Sequence, residues 1–78
     1  MIIIYSKESC APCKMVKTFL DRKGIKYIVR DVSNPKWRDK LESEYHVSTV
    51  PVTVLSPDPR HVVVGGNIRR IAEVLRSM

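Results

Sequence analysis

Two cysteines stand among the 78 residues. A pair cannot build the dense disulfide framework of small secreted scaffolds. No apolar run approaches the roughly 18 residues that a membrane-spanning helix needs. Nor is a signal peptide expected, because Met1 leads straight into Ile2-Ile3-Ile4-Tyr5, and Lys7 and Glu8 interrupt the run. These absences lead us to expect a cytoplasmic protein without membrane association. Aromatic residues reach only 6%, and apart from Trp37, which stands between Lys36 and Arg38, none interleave directly with the fourteen Lys and Arg, whose runs never exceed two. A base-stacking surface for nucleic acid requires such interleaving. The net charge of +6 therefore reads as a solvated basic surface, attractive to an acidic protein partner rather than to nucleic acid. Linkers, repeats and low-complexity tracts are missing as well, so residues 1–78 are expected to form one domain, near the lower limit for a self-sufficient core.

Apolar residues make up 44% of the chain, and their spacing carries the fold. Met1 to Tyr5 is continuously apolar, as expected of a central strand buried on both faces. Ser6 to Cys10 is a polar loop. Pro12 suits a first helical turn, and Met15, Val16, Phe19 and Leu20 then recur at helical spacing until Gly24 ends the helix. Lys26 to Val32 is β-branched and aromatic, and predicts a second strand parallel to the first. Asn34-Pro35 opens a second helix, with Trp37, Leu41 and Tyr45 on its buried face. Val50 to Leu55 predicts a third strand, Ser56 to Arg60 a turn, and His61 to Val64 the returning arm of an antiparallel hairpin. Asn67 caps a last helix whose apolar stripe is Ile68, Ile71, Ala72 and Leu75. The order is βαβαββα: an α/β chain with a four-stranded mixed sheet flanked by three helices, the thioredoxin-like fold.

The chemistry gathers where the first strand hands over to the first helix. Cys10 and Cys13 are three residues apart, so on a helix they share a face at roughly 5–6 Å. A disulfide needs Cα atoms about 4.4–6.8 Å apart, and this spacing closes the ring without moving the backbone. At the start of a helix, free N–H groups and the positive end of the dipole favour a thiolate at Cys10. Lys7 and Lys14 add positive charge, and Glu8 subtracts some. Cys13, one turn further in, suits a resolving thiol. Two merely packed cysteines, or half of a metal or iron–sulfur site, are the competing readings. A zinc centre would need two more ligands, and only His46 and His61 are candidates; fourteen residues separate them, against three to five in a zinc finger. Tyr5 ends the first strand, either beside the dithiol or in the core, and Tyr27, Trp37 and Tyr45 are expected to pack.

Cys10-Ala11-Pro12-Cys13, Thr49-Val50-Pro51 and Gly65-Gly66, in this order across the whole chain, resemble the glutaredoxins and the glutaredoxin-like NrdH redoxins. The resemblance implies a small thiol–disulfide oxidoreductase with Cys10 attacking and Cys13 resolving. It implies a cis bond before Pro51, and a substrate ledge formed by Lys7, Pro12, Thr49, Val50, Pro51, Gly65, Gly66 and Asn67. Further implications are a monomer without metal or bound cofactor, thioredoxin reductase or glutathione as reductant, and ribonucleotide reductase as client. Dithiol glutaredoxins usually carry proline and tyrosine between their cysteines, and polar or acidic residues after the paired glycines. Here Ala11-Pro12 and Asn67-Ile68 stand instead, and they favour the NrdH type over a glutathione-dependent glutaredoxin.

Overall fold

A computed structural model describes residues 1–78. The chain runs β1 (Ile2–Ser6), α1 (Ala11–Arg22), β2 (Tyr27–Asp31), α2 (Pro35–Tyr45), β3 (Val52–Val54), a 3-10 turn (Pro59–His61), β4 (Val62–Val64) and α3 (Ile68–Ser77). Strand order in the sheet is β2-β1-β3-β4, with β2 parallel to β1 and the other two pairings antiparallel. This is the expected thioredoxin-like arrangement.

Successive side chains of a strand point to opposite faces, which explains the unbroken apolar run at the start of the chain. Ile2 and Ile4 go to one core with Val16, Leu20, Leu55, Val63, Ile71 and Val74, beneath α1 and α3. Tyr5 goes to the other with Leu41, Val52 and Val54, and Ile3, Trp37 and Tyr45 pack around it from the α2 side. Both cores are small. Two layers of helix on one central sheet are what lets so short a chain bury complete side chains.

Helix ends follow their sequence signals. Lys23 caps α1, and Gly24 takes the left-handed position with φ +68°. The Asn34 side chain accepts the Lys36 N–H at 3.0 Å at the start of α2, with Pro35 as first helical residue. Asn67 does the same for α3, accepting the Arg70 N–H at 3.0 Å. Such caps satisfy N–H groups that the helix itself leaves free.

Several expectations shift. The third strand shrinks to three residues, because Val50 and Pro51 belong to the loop before it and Leu55 follows it. His61 closes the 3-10 turn instead of opening β4, and its Nδ1 lies 2.7 Å from the Ser56 hydroxyl. Met15 is 56% exposed, and α3 buries Val74 beside Ile71 while Ile68, Ala72 and Leu75 are only half-buried. α1 and α3 each divide their apolar stripe between the sheet and the seam between them, so the centre of the stripe is not the deepest line. Tyr5 is fully buried in the α2-side core; its hydroxyl accepts from Arg30 Nη1 at 2.8 Å, and its ring meets Tyr45 edge-on. It is a core residue.

Candidate active site

Strand β1 ends at Ser6, and a tight turn (Cys10 N–H to the Lys7 carbonyl, 3.3 Å) brings the chain back to begin α1. Cys10 is the N-cap of that helix, with extended backbone (φ −104°, ψ 108°). Its Sγ accepts the backbone N–H of Cys13 at 3.2 Å, the bond an N-cap serine or aspartate would make. Cys10 and Cys13 form a disulfide with Cα atoms 5.2 Å apart, inside the window expected from the spacing. The two sulfurs are not equivalent. Cys10 is partly exposed, and Cys13 is fully buried under the first turn. Pro12, in that turn, gives up an N–H that the helix could not have used.

Two loops close around the pair. The Val50–Pro51 peptide is cis, and the Val50 carbonyl oxygen lies 4.0 Å from Cys10 Sγ. Gly65, at φ +90°, donates its N–H to the Pro51 carbonyl at 2.8 Å, tying the second loop to the first. Gly66 then lies directly against Pro12. Cys10-Ala11-Pro12-Cys13, Thr49-Val50-Pro51 and Gly65-Gly66, far apart in sequence, meet at one end of the sheet. Asn67 follows them, but its side chain is occupied in capping α3.

On the other side of the dithiol a groove of about 500 Å³ lies between the loop after β1 and α2, and Lys7, Thr49 and Val50 line it together. Arg38 and Glu42, neighbours on the wet side of α2, also line it. Sequence reasoning did not single these two out. Their four-residue spacing on an otherwise polar helix carries no signal until the fold brings Lys7 alongside. The turn entering α2 is held by Asp31, whose carboxylate accepts both the hydroxyl (2.6 Å) and the N–H (2.9 Å) of Ser33; the hydroxyl bond is the larger cause of its lowered pKa. His46 is the exposed left-handed cap of α2 (φ 58°), and no group of three or more His, Cys, Asp or Glu is placed to hold a metal ion.

The family model for glutaredoxin matches residues 2–62. The chain belongs to the glutaredoxin family. Among curated proteins this glutaredoxin-family chain is 42% identical, over 52 residues, to the N-acetyl-S-hydroxy-L-cysteine reductase of Bacillus subtilis (strain 168). The match takes in 65% of the chain and 56% of that relative, little more than half its length. Among solved structures it resembles the thioredoxin-like protein BC3987, with TM-score 0.85, 28% identity, and coverage of 95% and 99% of the two chains. The glutaredoxin grx-1 of Archaeoglobus fulgidus gives TM-score 0.81 at 26% identity, covering 96% of this chain and 85% of that one. The chain is thus a thioredoxin-fold thiol redox protein of the glutaredoxin family, with Cys10 and Cys13 as its Cys-x-x-Cys pair.

Proposed function

We propose that this chain is a dithiol reductant of protein disulfides, of the NrdH type, in which Cys10 attacks and Cys13 resolves. The observation that carries the reading is the asymmetry of the pair: Cys10 Sγ receives the Cys13 N–H at the open start of α1, while Cys13 is sealed beneath it. A thiolate at Cys10 keeps that N–H and the favourable end of the helix dipole. It attacks one sulfur of a substrate disulfide, forming a mixed disulfide and expelling the first substrate thiolate. Cys13 gives up its proton and attacks Cys10 Sγ, expelling the second substrate thiolate and closing the Cys10–Cys13 disulfide. Two electrons pass to the substrate, and the expelled thiolates take up two protons.

The oxidised pair returns to the dithiol at the expense of an external donor. Thioredoxin reductase is the proposed donor and ribonucleotide reductase the proposed client, with glutathione as the alternative donor. Ala11-Pro12 between the cysteines, and an Asn67 side chain engaged in helix capping, support this order of preference. Lys7 and the Thr49–Val50–Pro51 and Gly65–Gly66 loops form the ledge on which the substrate lies. We further propose a cytoplasmic monomer that works without metal or bound cofactor.

Two variants and two reductant systems test this. Cys13→Ser is expected to accumulate mixed disulfides with a model substrate, and Cys10→Ser to lose turnover altogether. Equal residual activity in both would sink the assignment of roles. In parallel, wild-type protein is fed from NADPH with thioredoxin reductase, or from NADPH with glutathione and its reductase. Turnover through glutathione alone would overturn the NrdH-type preference.

The 42% identity to a reductase named for an S-hydroxy cysteine derivative favours a second substrate class. A small thiol oxidised to the sulfenic acid would meet the same Cys10 thiolate, form the mixed disulfide and release its oxygen as water, with one proton taken from solvent. Lys7 and Arg38 in the adjoining groove would hold its carboxylate. Reduction of such a compound in preference to a protein disulfide would favour this reading over the first.

A further inference from the structure

A second groove opens on the opposite flank of the dithiol, along the seam between α1 and α3. Its volume is about 350 Å³, near the small end of ligand-sized pockets. Met15, Phe19 and Ile68 make its apolar floor; Lys14, Thr18 and Arg22 stand on its rim. Lys23 extends the rim, with its ammonium 5.3 Å from the centre of the Phe19 ring. No carboxylate lines this groove, and the three ion pairs of the chain use Arg38, Lys40 and Arg60, leaving Lys14, Arg22 and Lys23 without a counter-charge.

The groove is tied to the dithiol by position. Lys14 follows Cys13 directly, and Ile68 comes two residues after Gly66, which rests on Pro12. From Met15 to Arg22 it runs two helical turns, about 10 Å at 1.5 Å per residue. Met15 is 56% exposed at its mouth, and a methionine adapts its shape to a range of apolar side chains. A small polar thiol finds little to bond with on such a floor. A protein segment with one apolar side chain between carboxylates would fit both floor and rim.

We infer that this seam docks an acidic segment of the protein whose disulfide Cys10 attacks: one apolar side chain on Met15, Phe19 and Ile68, and flanking carboxylates at Lys14, Arg22 and Lys23. The inference rests on the dithiol reading and names the chemistry of the partner. Unpaired cations around an apolar centre steer an acidic partner and discriminate against a basic one.

The test uses pre-reduced full-length protein and two short synthetic peptides, each activated at a single cysteine as its 2-thiopyridyl disulfide. One carries a leucine flanked by glutamates a few residues beyond the cysteine; the other carries lysine at each glutamate. Release of pyridine-2-thione reports the rate, and 2-hydroxyethyl 2-pyridyl disulfide serves as an uncharged small substrate. The acidic peptide is expected to react about tenfold faster than the basic one at low salt, and the gap to narrow as salt screens the charges. Arg22→Glu and Met15→Glu, each at an exposed helical position, are expected to abolish that preference while the small disulfide reacts at the wild-type rate. Arg69→Glu makes the same charge change outside the groove and should preserve it. Equal rates for the two peptides with wild-type protein would overturn the inference. So would a preference that Arg69→Glu removes as fully as Arg22→Glu does, since net charge would then be the cause. Failure of wild-type protein to reduce even the small disulfide would overturn the dithiol reading itself, and the docking inference with it.

Discussion

Gly66 rests against Pro12 so closely that a methyl group at position 66 would lie 3.0 Å from the Pro12 Cβ. The pyrrolidine ring cannot rotate away, so the Gly65-Gly66 loop and the first turn of α1 must shift apart by a few tenths of an ångström. Gly66→Ala is expected to cost about 1 kcal/mol or more of stability, as modest overpacking does, and to slow disulfide exchange by displacing the first turn of α1. Urea denaturation and exchange kinetics measure the two effects. Unchanged values for both would mean that the contact is slack.

In the reduced protein, alkylation should be one-sided. Cys10 is partly exposed and Cys13 fully buried, so a small excess of iodoacetamide at neutral pH is expected to modify Cys10 alone. Mass spectrometry after digestion counts the adducts. Comparable modification of both cysteines would contradict the assignment of attacking and resolving thiols.

Tyr5→Phe separates core from site. Removing the hydroxyl that accepts from Arg30 Nη1 leaves the guanidinium one bond short, although its stacking on Trp37 at 4.3 Å persists. The expected loss is about 1 kcal/mol of stability, typical of a net hydrogen bond, with disulfide exchange unaltered. A large fall in exchange rate at unchanged stability would return Tyr5 to the neighbourhood of the dithiol.

The turn before β4 supplies a titration. The Arg60 guanidinium beside Asp58, reinforced by the Arg60 N–H, holds the Asp58 carboxyl down to about 2. A carboxyl lowered in the folded state stabilises the fold above its ordinary pKa and loses that contribution as pH falls through about 2. Carboxyl NMR titration should place its midpoint there. Arg60→Ala should raise the midpoint part of the way, because the backbone N–H bond remains. A midpoint that does not respond to this variant would show that the side chain contributes nothing.

How much of this was legible in the chain differs from element to element. The Ile-rich start, Pro12, Gly24, Asn34-Pro35 and Asn67 mark their elements because each acts on the stretch of chain it sits in, by burial, by backbone geometry or by a side-chain cap. The meeting of the three short motifs was legible only through resemblance, since no local rule brings Thr49-Val50-Pro51 or Gly65-Gly66 to Cys10. Val74 and Met15 were misplaced for one reason. A helix in isolation shows one apolar stripe, and only the packed structure reveals that the sheet takes Val16, Leu20, Ile71 and Val74 while the helix seam takes Met15, Phe19 and Ile68. Ile28 and Val29, 45% and 44% exposed, owe their exposure to β2 lying at the sheet edge, a fact of strand order. Arg38 and Glu42 became visible only when α2 was laid beside Lys7.

In the proposed cycle the burial of Cys13 confines its chemistry to one partner. Solvent does not reach this sulfur, so external disulfides and alkylating agents meet Cys10 first, and Cys13 is kept for the bond that Cys10 forms. Its attack is then an intramolecular step, whose rate does not depend on how much thiol the surroundings hold.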